Sequence, residues 1–267
     1  MKPRKRFGQH FLNNRAILGR IAEALGPKPG ELVLEIGPGQ GDLTEALAAR
    51  GARVVAIEKD RDLVPLVRER LPQVTVVEGD ALELDWREAA GIGPGDEMLV
   101  TGNIPYNITT PLLDRALTPP RARRIVFLVQ KEVADRIVAG PGSKTYGALS
   151  VGVQAVARIE KLFAVPAGAF HPPPKVDSAV IRLTPLAEPL VADGDLRRFR
   201  RLVVGLFGFR RKQLSRGLRE LTGWSAEQVE SAIGAAGLAP GVRAETIPPE
   251  AFHRLLVALI DRGWTGE

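Results

Sequence analysis

The chain has 267 residues, enough for one large domain or for a main domain with a smaller one attached. It contains no cysteine, which excludes disulfides and cysteine nucleophiles, and its three histidines are too scattered for a metal site. The net charge of +6 is consistent with a polyanionic partner, although a solvated basic surface also explains it. No apolar run approaches the roughly 18 residues of a membrane span, so we expect a cytoplasmic protein with no membrane partner.

From residue 32 to residue 130, short apolar runs alternate with amphipathic ones. Strands are predicted at 32–36, 53–58, 74–78, 98–102 and 125–129, and helices at 42–50, 61–71 and 111–117. The strand runs are nearly continuous in Val, Ile and Leu, as expected where helices cover both faces of a sheet. We therefore expect an α/β, Rossmann-like domain with a mostly parallel sheet.

Beyond residue 130 the pattern changes. Helices are predicted at 131–139 and 146–157, and strands at 159–165 and 179–183. The segment between these two strands is too short for a crossover helix, which favours an antiparallel pair. After a linker at 185–193, helices are predicted at 196–207, 210–221, 226–236 and 249–262. We expect a catalytic domain over 1–187 and a small all-helical domain over 188–267.

Three glycines, Gly37, Gly39 and Gly41, follow the first strand of the predicted sheet. Glycine there lets the main chain turn tightly and approach a ligand at the sheet edge where α/β proteins bind their ligands. A dinucleotide fingerprint needs a further glycine at position 42, but Asp42 stands there and would repel a pyrophosphate. S-adenosylmethionine has no phosphate, so we expect it as the cofactor. A dehydrogenase is the alternative.

Acidic residues end the next two predicted strands. Glu58 can accept hydrogen bonds from both ribose hydroxyls, although NAD enzymes use the same device. Asp80 can accept a hydrogen bond from an adenine amino group, or it can simply cap the turn that follows. Together with the glycines, these carboxylates indicate a nucleoside site.

The sequence Asn103-Ile-Pro-Tyr follows the fourth predicted strand. An adenine amino group is a poor nucleophile, and two acceptors that hold its N–H groups make attack on a methyl group easier. The Asn103 side-chain oxygen and the Ile104 carbonyl can be these acceptors, while Tyr106 offers a ring face to the base. The alternative is a proline turn in which the asparagine caps a helix at Thr109.

A second aromatic residue, Phe170, precedes Pro172-Pro-Pro. A stiff proline loop can hold this ring exposed opposite Tyr106, so that a base stacks between the two. Without other information, a buried phenylalanine that packs a strand end explains the same residue.

These motifs resemble those of the small-subunit (16S) ribosomal RNA adenine dimethyltransferases over nearly the whole chain. The matching segments are Arg6-Phe-Gly-Gln-His-Phe-Leu, Glu35-Ile-Gly-Pro-Gly-Gln-Gly, Gly102-Asn-Ile-Pro-Tyr-Asn-Ile, Gln130-Lys-Glu-Val-Ala, Ser143-Lys-Thr-Tyr-Gly-Ala-Leu-Ser and Phe170-His-Pro-Pro-Pro-Lys-Val-Asp-Ser-Ala-Val. The resemblance implies N6,N6-dimethylation of two adjacent adenines in a hairpin loop near the 3′ end of that RNA. It also implies the immature small ribosomal subunit as partner.

The resemblance, the glycine loop and the clustered basic residues together assign site residues. Cofactor contacts are expected from His10, Leu12, Gly37, Gly39, Gly41, Glu58, Asp80, Ala81 and Asn103. RNA contacts are expected from Arg4, Lys5, Arg6, Lys175, Arg210, Arg211, Lys212 and Arg216, although a charged helix face is often merely solvated. Many relatives have Asn at position 10, a change that a main-chain contact survives.

Two other functions remain open at this point. One is a large-subunit adenine methyltransferase of the erythromycin-resistance type, and the other is a non-catalytic assembly factor on the same fold. The intact Asn103-Ile-Pro-Tyr motif argues against the second. No long apolar patch requires a partner copy, so we expect a monomer.

Overall fold

The structure is a computed structural model that describes residues 9–93, 95–209 and 212–266. The described residues form two compact units. The first comprises the described residues up to Ala134 together with Ile159–Pro185, and the second comprises Asp135–Arg158 with the described residues from Leu186 on. Among the residues that the structure describes, no helix is long and apolar enough to cross a membrane.

The first unit is built around a β-sheet. The strands are β1 (Phe11–Leu12), β2 (Leu32–Ile36), β3 (Arg53–Glu58), β4 (Thr75–Glu78), β5 (Leu99–Asn103), β6 (Arg124–Gln130), β7 (Ala157–Val165), β8 (Phe170–His171) and β9 (Ser178–Pro185). Seven of them form one sheet in the order β4-β3-β2-β5-β6-β9-β7. The strands from β4 across to β6 pair in parallel, and β9 runs antiparallel to β6. The predicted Rossmann-like, mostly parallel sheet is confirmed.

The predicted strands lie close to the observed ones because their apolar runs are buried. β2 and β3 both occupy the predicted residues. β2 is buried along its whole length, and β3 is buried from its second residue on. Strands β7 and β9 are neighbours in the sheet, and no α-helix lies in the connection between them. The short strands β1 and β8 pair antiparallel apart from the main sheet, with Leu12 opposite Phe170. These two-residue strands carry no periodic signal, and sequence analysis missed them.

Among the described residues, six α-helices lie in the first unit or begin in it, the last of them crossing into the second unit. They are α1 (Arg15–Leu25), α2 (Asp42–Ala48), α3 (Val64–Arg70), α4 (Trp86–Ala90), α5 (Thr109–Ala116) and α6 (Lys131–Ile137). Sequence analysis missed α1 and α4. The signal for α1 was present, since its buried residues Leu18, Ile21, Ala22 and Leu25 recur at helical spacing. Asn14 also caps this helix by accepting a hydrogen bond from the main-chain N–H of Ile17 at 3.1 Å.

The second unit is helical. Its helices are α7 (Ala148–Gln154), α8 (Leu196–Gly208), α9 (Leu214–Thr222), α10 (Ala226–Ala235) and α11 (Pro249–Ile260). One face of α8 is buried through Leu196, Phe199, Leu202, Val203 and Leu206. Ser225 is the N-cap of α10, and its hydroxyl accepts a hydrogen bond from the main-chain N–H of Gln228 at 3.3 Å.

The division of the chain differs from the predicted boundary after residue 187. The first unit ends at Pro185, and the segment Asp135–Arg158 belongs with the C-terminal helices. The physical reason is burial: Tyr146 is fully buried there, and its hydroxyl donates to the Ile247 carbonyl at 2.7 Å. The predicted linker contains no helix or strand from Leu186 to Ala192, yet it is hydrogen-bonded, with the N–H of Leu186 donating to the Val156 carbonyl at 3.0 Å.

Candidate active site

A cavity of about 310 Å³ opens in the first unit at the carboxyl ends of the parallel strands. This is the edge at which open α/β sheets bind ligands, and the volume suits a small cofactor. Ten of the predicted site residues line it: His10, Leu12, Gly37, Gly39, Glu58, Asp80, Ala81, Asn103, Ile104 and Tyr106. Gly41 and Phe170 are not among the lining residues.

The glycine loop forms one wall of the cavity. Gly39 has a φ of +60°, and a Cβ there would lie 3.1 Å from carbons of the Phe11 ring, so a side chain would be both strained and crowded. Its N–H donates to Oε2 of Glu58 at 3.1 Å. Gly41 stands at the N-cap of α2, where a Cβ would meet Leu71 at 3.3 Å. Gly41 therefore allows helix packing instead of lining the cavity.

The Glu58 carboxylate is held by main-chain groups on both sides. Besides Gly39, the N–H of Asp60 donates to Oε1 at 2.7 Å. Burial raises the pKa of Glu58, although these N–H donors act in the opposite direction. Asp60 is itself buried and accepts a hydrogen bond from Nε2 of Gln9 at 2.9 Å. The carboxylate is therefore oriented before any ligand binds.

Asp80 has a charged partner that sequence analysis did not predict. Its side chain forms an ion pair with Lys59, and its Oδ1 accepts a hydrogen bond from the N–H of Leu82 at 2.9 Å. Burial alone would raise the pKa of Asp80, but the Lys59 ammonium and the Leu82 N–H lower it. Asp80 thus enters the cavity as a carboxylate, and the turn-capping alternative is also realised through Leu82.

Two further acidic residues stand behind the glycine loop. Asp42 is neutralised by Arg70, whose Nη1 lies 2.9 Å from Oδ1. Glu35 is only 1% exposed, and its Oε2 has no hydrogen-bond partner among the described residues. Burial raises the pKa of Glu35 to about 8, and the charges of Glu58 and Asp42 act in the same direction. These two side chains therefore contribute less negative charge to the cavity than two free carboxylates would.

Asn103 ends β5 and lines the cavity. Its Nδ2 donates to the main-chain carbonyl of His10 at 2.8 Å, and no described residue donates to its Oδ1. Only the NH₂ end of an amide can face a carbonyl, so this contact fixes which end of the side chain is left as an acceptor. The residue before Asn103 must be as small as Gly102, because a Cβ at position 102 would lie 2.5 Å from the Ile36 carbonyl oxygen. The predicted helix-capping alternative is not realised, since α5 has no side-chain cap.

The residues after Asn103 form a fixed turn. Ile104 is 1% exposed, and its N–H donates to the Leu128 carbonyl at 3.0 Å. Tyr106 is half-buried; its hydroxyl lies 2.8 Å from Oγ of Ser178. The His10 ring stacks on Tyr106 with centroids 6.0 Å apart, and its Nδ1 donates to the Pro172 carbonyl at 2.7 Å. His10 thus uses both its main chain and its ring.

The expectation of an exposed Phe170 ring is wrong. Phe170 is 5% exposed and belongs to the hydrophobic core of the first unit. The β1–β8 pairing places it opposite Leu12, which is also buried, and apolar burial outweighs exposure on the proline loop. The ring beside Tyr106 is that of His10 instead. A base-stacking role for Phe170 stays a prediction and requires the ring to leave the core.

The predicted RNA-binding residues differ in their surroundings. Arg4, Lys5, Arg6, Arg210 and Arg211 lie outside the described residues. Lys175 in the first unit and Arg216 in the second are exposed. Lys212 is engaged, since its ammonium lies 2.9 Å from Glu220 and 4.8 Å from the centre of the Phe209 ring.

Known proteins resemble this chain along almost its whole length. Residues 1–261 match the family described as ribosomal RNA adenine dimethylase. A Geobacter metallireducens protein named ribosomal RNA small subunit methyltransferase A is 44% identical over 98% of both chains. A Pseudomonas aeruginosa protein of the same name is 43% identical over 95% of this chain and 93% of its own.

Solved structures share the fold. A dimethyladenosine transferase from Plasmodium falciparum superposes with a TM-score of 0.79 at 26% identity, covering 96% of this chain and 99% of its own. The 23S rRNA methyltransferase ErmE superposes with a TM-score of 0.71 at 31% identity, covering 94% of this chain and 99% of its own. With the match to the family over residues 1–261, these likenesses show that the chain belongs to the ribosomal RNA adenine dimethylase family.

Proposed function

We propose that this protein dimethylates the N6 amino groups of two adjacent adenines in a 3′-terminal hairpin loop of small-subunit (16S) ribosomal RNA, with S-adenosylmethionine as donor. The observation that carries the proposal is the oriented amide of Asn103 in the lining of the cavity. The names of relatives at 44% and 43% identity support the small-subunit RNA as substrate. ErmE, which is named for 23S rRNA, is 31% identical.

The residues that line the cavity fit S-adenosylmethionine. Glu58 presents a preoriented carboxylate for the ribose hydroxyls, and Asp80 and the neighbouring Ala81 border the place for an adenine. Glu35 also lines the cavity, and its buried Oε2, which has no partner among the described residues, is left for a hydrogen bond with the ligand. His10, Leu12, Gly37 and Gly39 close the remaining walls. When bound, this cofactor supplies a methyl group activated by its cationic sulfonium.

The target amino group is held by Asn103 and Ile104. The Oδ1 of Asn103 and the main-chain carbonyl of Ile104 accept its two N–H groups, which favours a pyramidal nitrogen with an available lone pair. The His10 carbonyl keeps the amide from rotating. Most of the catalysis is then positioning of the nucleophile, and no strong general base is required.

The target adenine stacks on Tyr106 after leaving its own stack in the RNA. An unpaired loop base leaves the stack at lower cost than a paired one, which favours a hairpin loop as the target. The hydrogen bond from Tyr106 to Ser178 and the stacked His10 ring hold the tyrosine in place. Phe170 completes the stack only if its ring moves out of the core.

The RNA backbone is attracted by the basic residues. Exposed Lys175 and Arg216 offer contacts to phosphates, and the residues Arg4, Lys5, Arg6, Arg210 and Arg211 add charge along the sequence. Lys212 contributes to phosphate binding only when its ion pair with Glu220 is broken. The helical C-terminal residues thus act in RNA docking. We further propose that the protein works as a monomer in the cytoplasm, where it binds the immature small subunit.

The test is transfer of tritiated methyl groups to small and large ribosomal subunits that lack adenine dimethylation. The modified nucleosides are then mapped by nuclease digestion. We expect dimethyladenine at two adjacent adenines near the 3′ end of the small-subunit RNA and none in the large subunit. Label confined to the large-subunit RNA would overturn the proposal in favour of the erythromycin-resistance type of enzyme. Cofactor binding without transfer to either RNA would favour a non-catalytic assembly factor.

A further inference from the structure

A second cavity lies in the helical unit, far in sequence from the catalytic motifs. It is a polar groove of about 580 Å³ between α9 and α10. Arg216, Arg219 and Glu220 line it from α9, Glu230 lines it from α10, and Trp224 stands at the turn that joins the two helices. We refer to it as the Trp224 groove. Nothing in the methyl-transfer chemistry requires it.

The main chain at Trp224 is held from both sides. Gly223 ends α9 with a φ of +72°, and its N–H donates to the Arg219 carbonyl at 2.9 Å. The N–H of Trp224 donates to Oγ1 of Thr222 at 3.2 Å. On the other side, Ser225 and Gln228 form a reciprocal capping box at the start of α10. The indole is therefore presented on a rigid support.

Trp224 differs from the other two tryptophans of the chain. Trp86 and Trp264 are 5% and 7% exposed, and the indole N–H of Trp86 donates to the Ala81 carbonyl at 2.7 Å. Trp224 is only partly buried, and its indole N–H has no hydrogen-bond partner among the described residues. Trp224 thus lines the groove with part of its large aromatic surface uncovered.

Two arginines of the groove are available to an anion. Arg216 and Arg219 are three residues apart on α9, which places them on neighbouring positions of one helix face. Both are exposed, and neither forms an ion pair with a carboxylate among the described residues. Glu220 lies beside them, but Lys212 already binds it at 2.9 Å. The Lys212 contact lowers the pKa of Glu220, and the charges of Arg216 and Arg219 act in the same direction.

We propose that the Trp224 groove binds one unpaired nucleotide of the RNA substrate, with its base stacked on Trp224 and its phosphates at Arg216 and Arg219. An aromatic face next to guanidinium groups is the combination by which proteins hold single-stranded nucleic acid. The Glu230 carboxylate repels phosphate, so the phosphates lie on the α9 side of the groove. The inference rests on the proposed function, since it assumes an RNA substrate, and adds a second grip on it.

The test uses the full-length protein with Trp86 and Trp264 replaced by Phe, so that Trp224 is the only tryptophan. A 12-nucleotide oligoadenylate should quench its fluorescence, with an affinity that falls as salt rises. In the otherwise unchanged protein, W224A should weaken binding of a fluorescein-labelled oligoadenylate about 5- to 100-fold, and W224F should restore most of it. The double variant R216A/R219A should weaken binding and reduce the salt dependence.

The matched control is the double variant R15A/R50A, which removes two exposed arginines of the first unit that do not line its cavity. The affinity of this control variant for oligoadenylate should fall much less than that of R216A/R219A. Unchanged binding by W224A, or equal loss in both arginine pairs, overturns the proposal. So does equal quenching by polyglutamate, since the groove would then be an acidic-peptide site. Failure of the proposed function is separate, because it shows as absent methyl transfer while oligoadenylate still quenches Trp224.

Discussion

The side chain of Asn103 donates a hydrogen bond to the main-chain carbonyl of His10, 93 residues earlier, at 2.8 Å. A carbonyl accepts only from the NH₂ end of the amide, so the contact fixes Oδ1 as the acceptor that remains for a ligand. A main-chain carbonyl is present whatever side chain stands at position 10. A change of the side chain at position 10 therefore leaves this acceptor in place.

Asn103→Ala should abolish most methyl transfer while the protein stays folded. Loss of one preorganised hydrogen-bonding group at a reacting centre costs roughly 100- to 1000-fold in kcat. Asn103→Asp should be similarly impaired, because a carboxylate faces the His10 carbonyl unfavourably. Single-turnover transfer of tritiated methyl to unmethylated small subunits measures the effect. The control is Asn13→Ala, an exposed amide outside the cavity, which should act as wild type. Normal turnover by Asn103→Ala contradicts the assigned role.

Tyr106→Ala should raise the KM for RNA more than it weakens cofactor binding, because the ring holds the base. Its loss removes a stacking contact of about 1–3 kcal/mol. Tyr106→Phe keeps the ring and loses only the hydrogen bond to Ser178, so its effect should be within about tenfold. Steady-state kinetics and calorimetry with S-adenosylmethionine separate the two effects. Equal loss of cofactor affinity and RNA affinity in Tyr106→Ala would argue against stacking.

Glu58→Gln should weaken S-adenosylmethionine binding at least about tenfold. The amide offers one acceptor where Glu58 offers two, and its NH₂ group meets the N–H of either Gly39 or Asp60. Calorimetric titration measures the change. Glu78→Gln is the matched control, because Glu78 is the parallel-strand partner of Glu58 but is exposed and outside the cavity. If both variants bind the cofactor as wild type, Glu58 does not contact it.

Glu35 should make the stability of the first unit depend on pH. Burial raises its pKa from 4.5 to about 8, so the folded state binds a proton that the unfolded state releases. Its stabilising contribution is therefore fully present below about pH 4.5 and is lost as pH rises towards 8. The loss is on the order of a few kcal/mol. Glu35→Gln should remove this contribution to the pH dependence of the free energy of unfolding.

Urea unfolding of proteins in which Trp224 and Trp264 are replaced by Phe, followed through the fluorescence of Trp86, measures the free energy of unfolding of this unit. The measurement is made at pH 5, 6, 7 and 8, values chosen to span roughly the window between the two pKa values. As pH rises, the free energy of unfolding of the wild type should fall relative to that of Glu35→Gln. Glu23→Gln, an exposed carboxylate on α1, should keep the wild-type slope. A difference between Glu35→Gln and wild type that does not change with pH would show that Glu35 is ionised in the folded state.

Local pattern was enough for much of the fold and for the chemical motifs. β2 and β3 lie at their predicted residues, because a parallel strand covered on both faces needs an unbroken apolar run. Gly39 was recognisable as a loop glycine because glycine, which lacks a Cβ, readily adopts the positive φ that it has in this loop. Asn103 was recognisable because its motif follows a strand, and a strand end at this sheet edge points to a ligand site.

The tertiary structure alone decided which groups meet. The contacts from His10 to Asn103 and from Lys59 to Asp80 join residues far apart in the chain, and no short-range pattern encodes them. Phe170 is buried because β8 pairs with β1, and strands of two residues are too short to leave a periodic signal in the sequence. Burial and long-range hydrogen bonding depend on the packed surroundings of a side chain. A sequence therefore shows which chemistry is available, and packing decides which partners it meets.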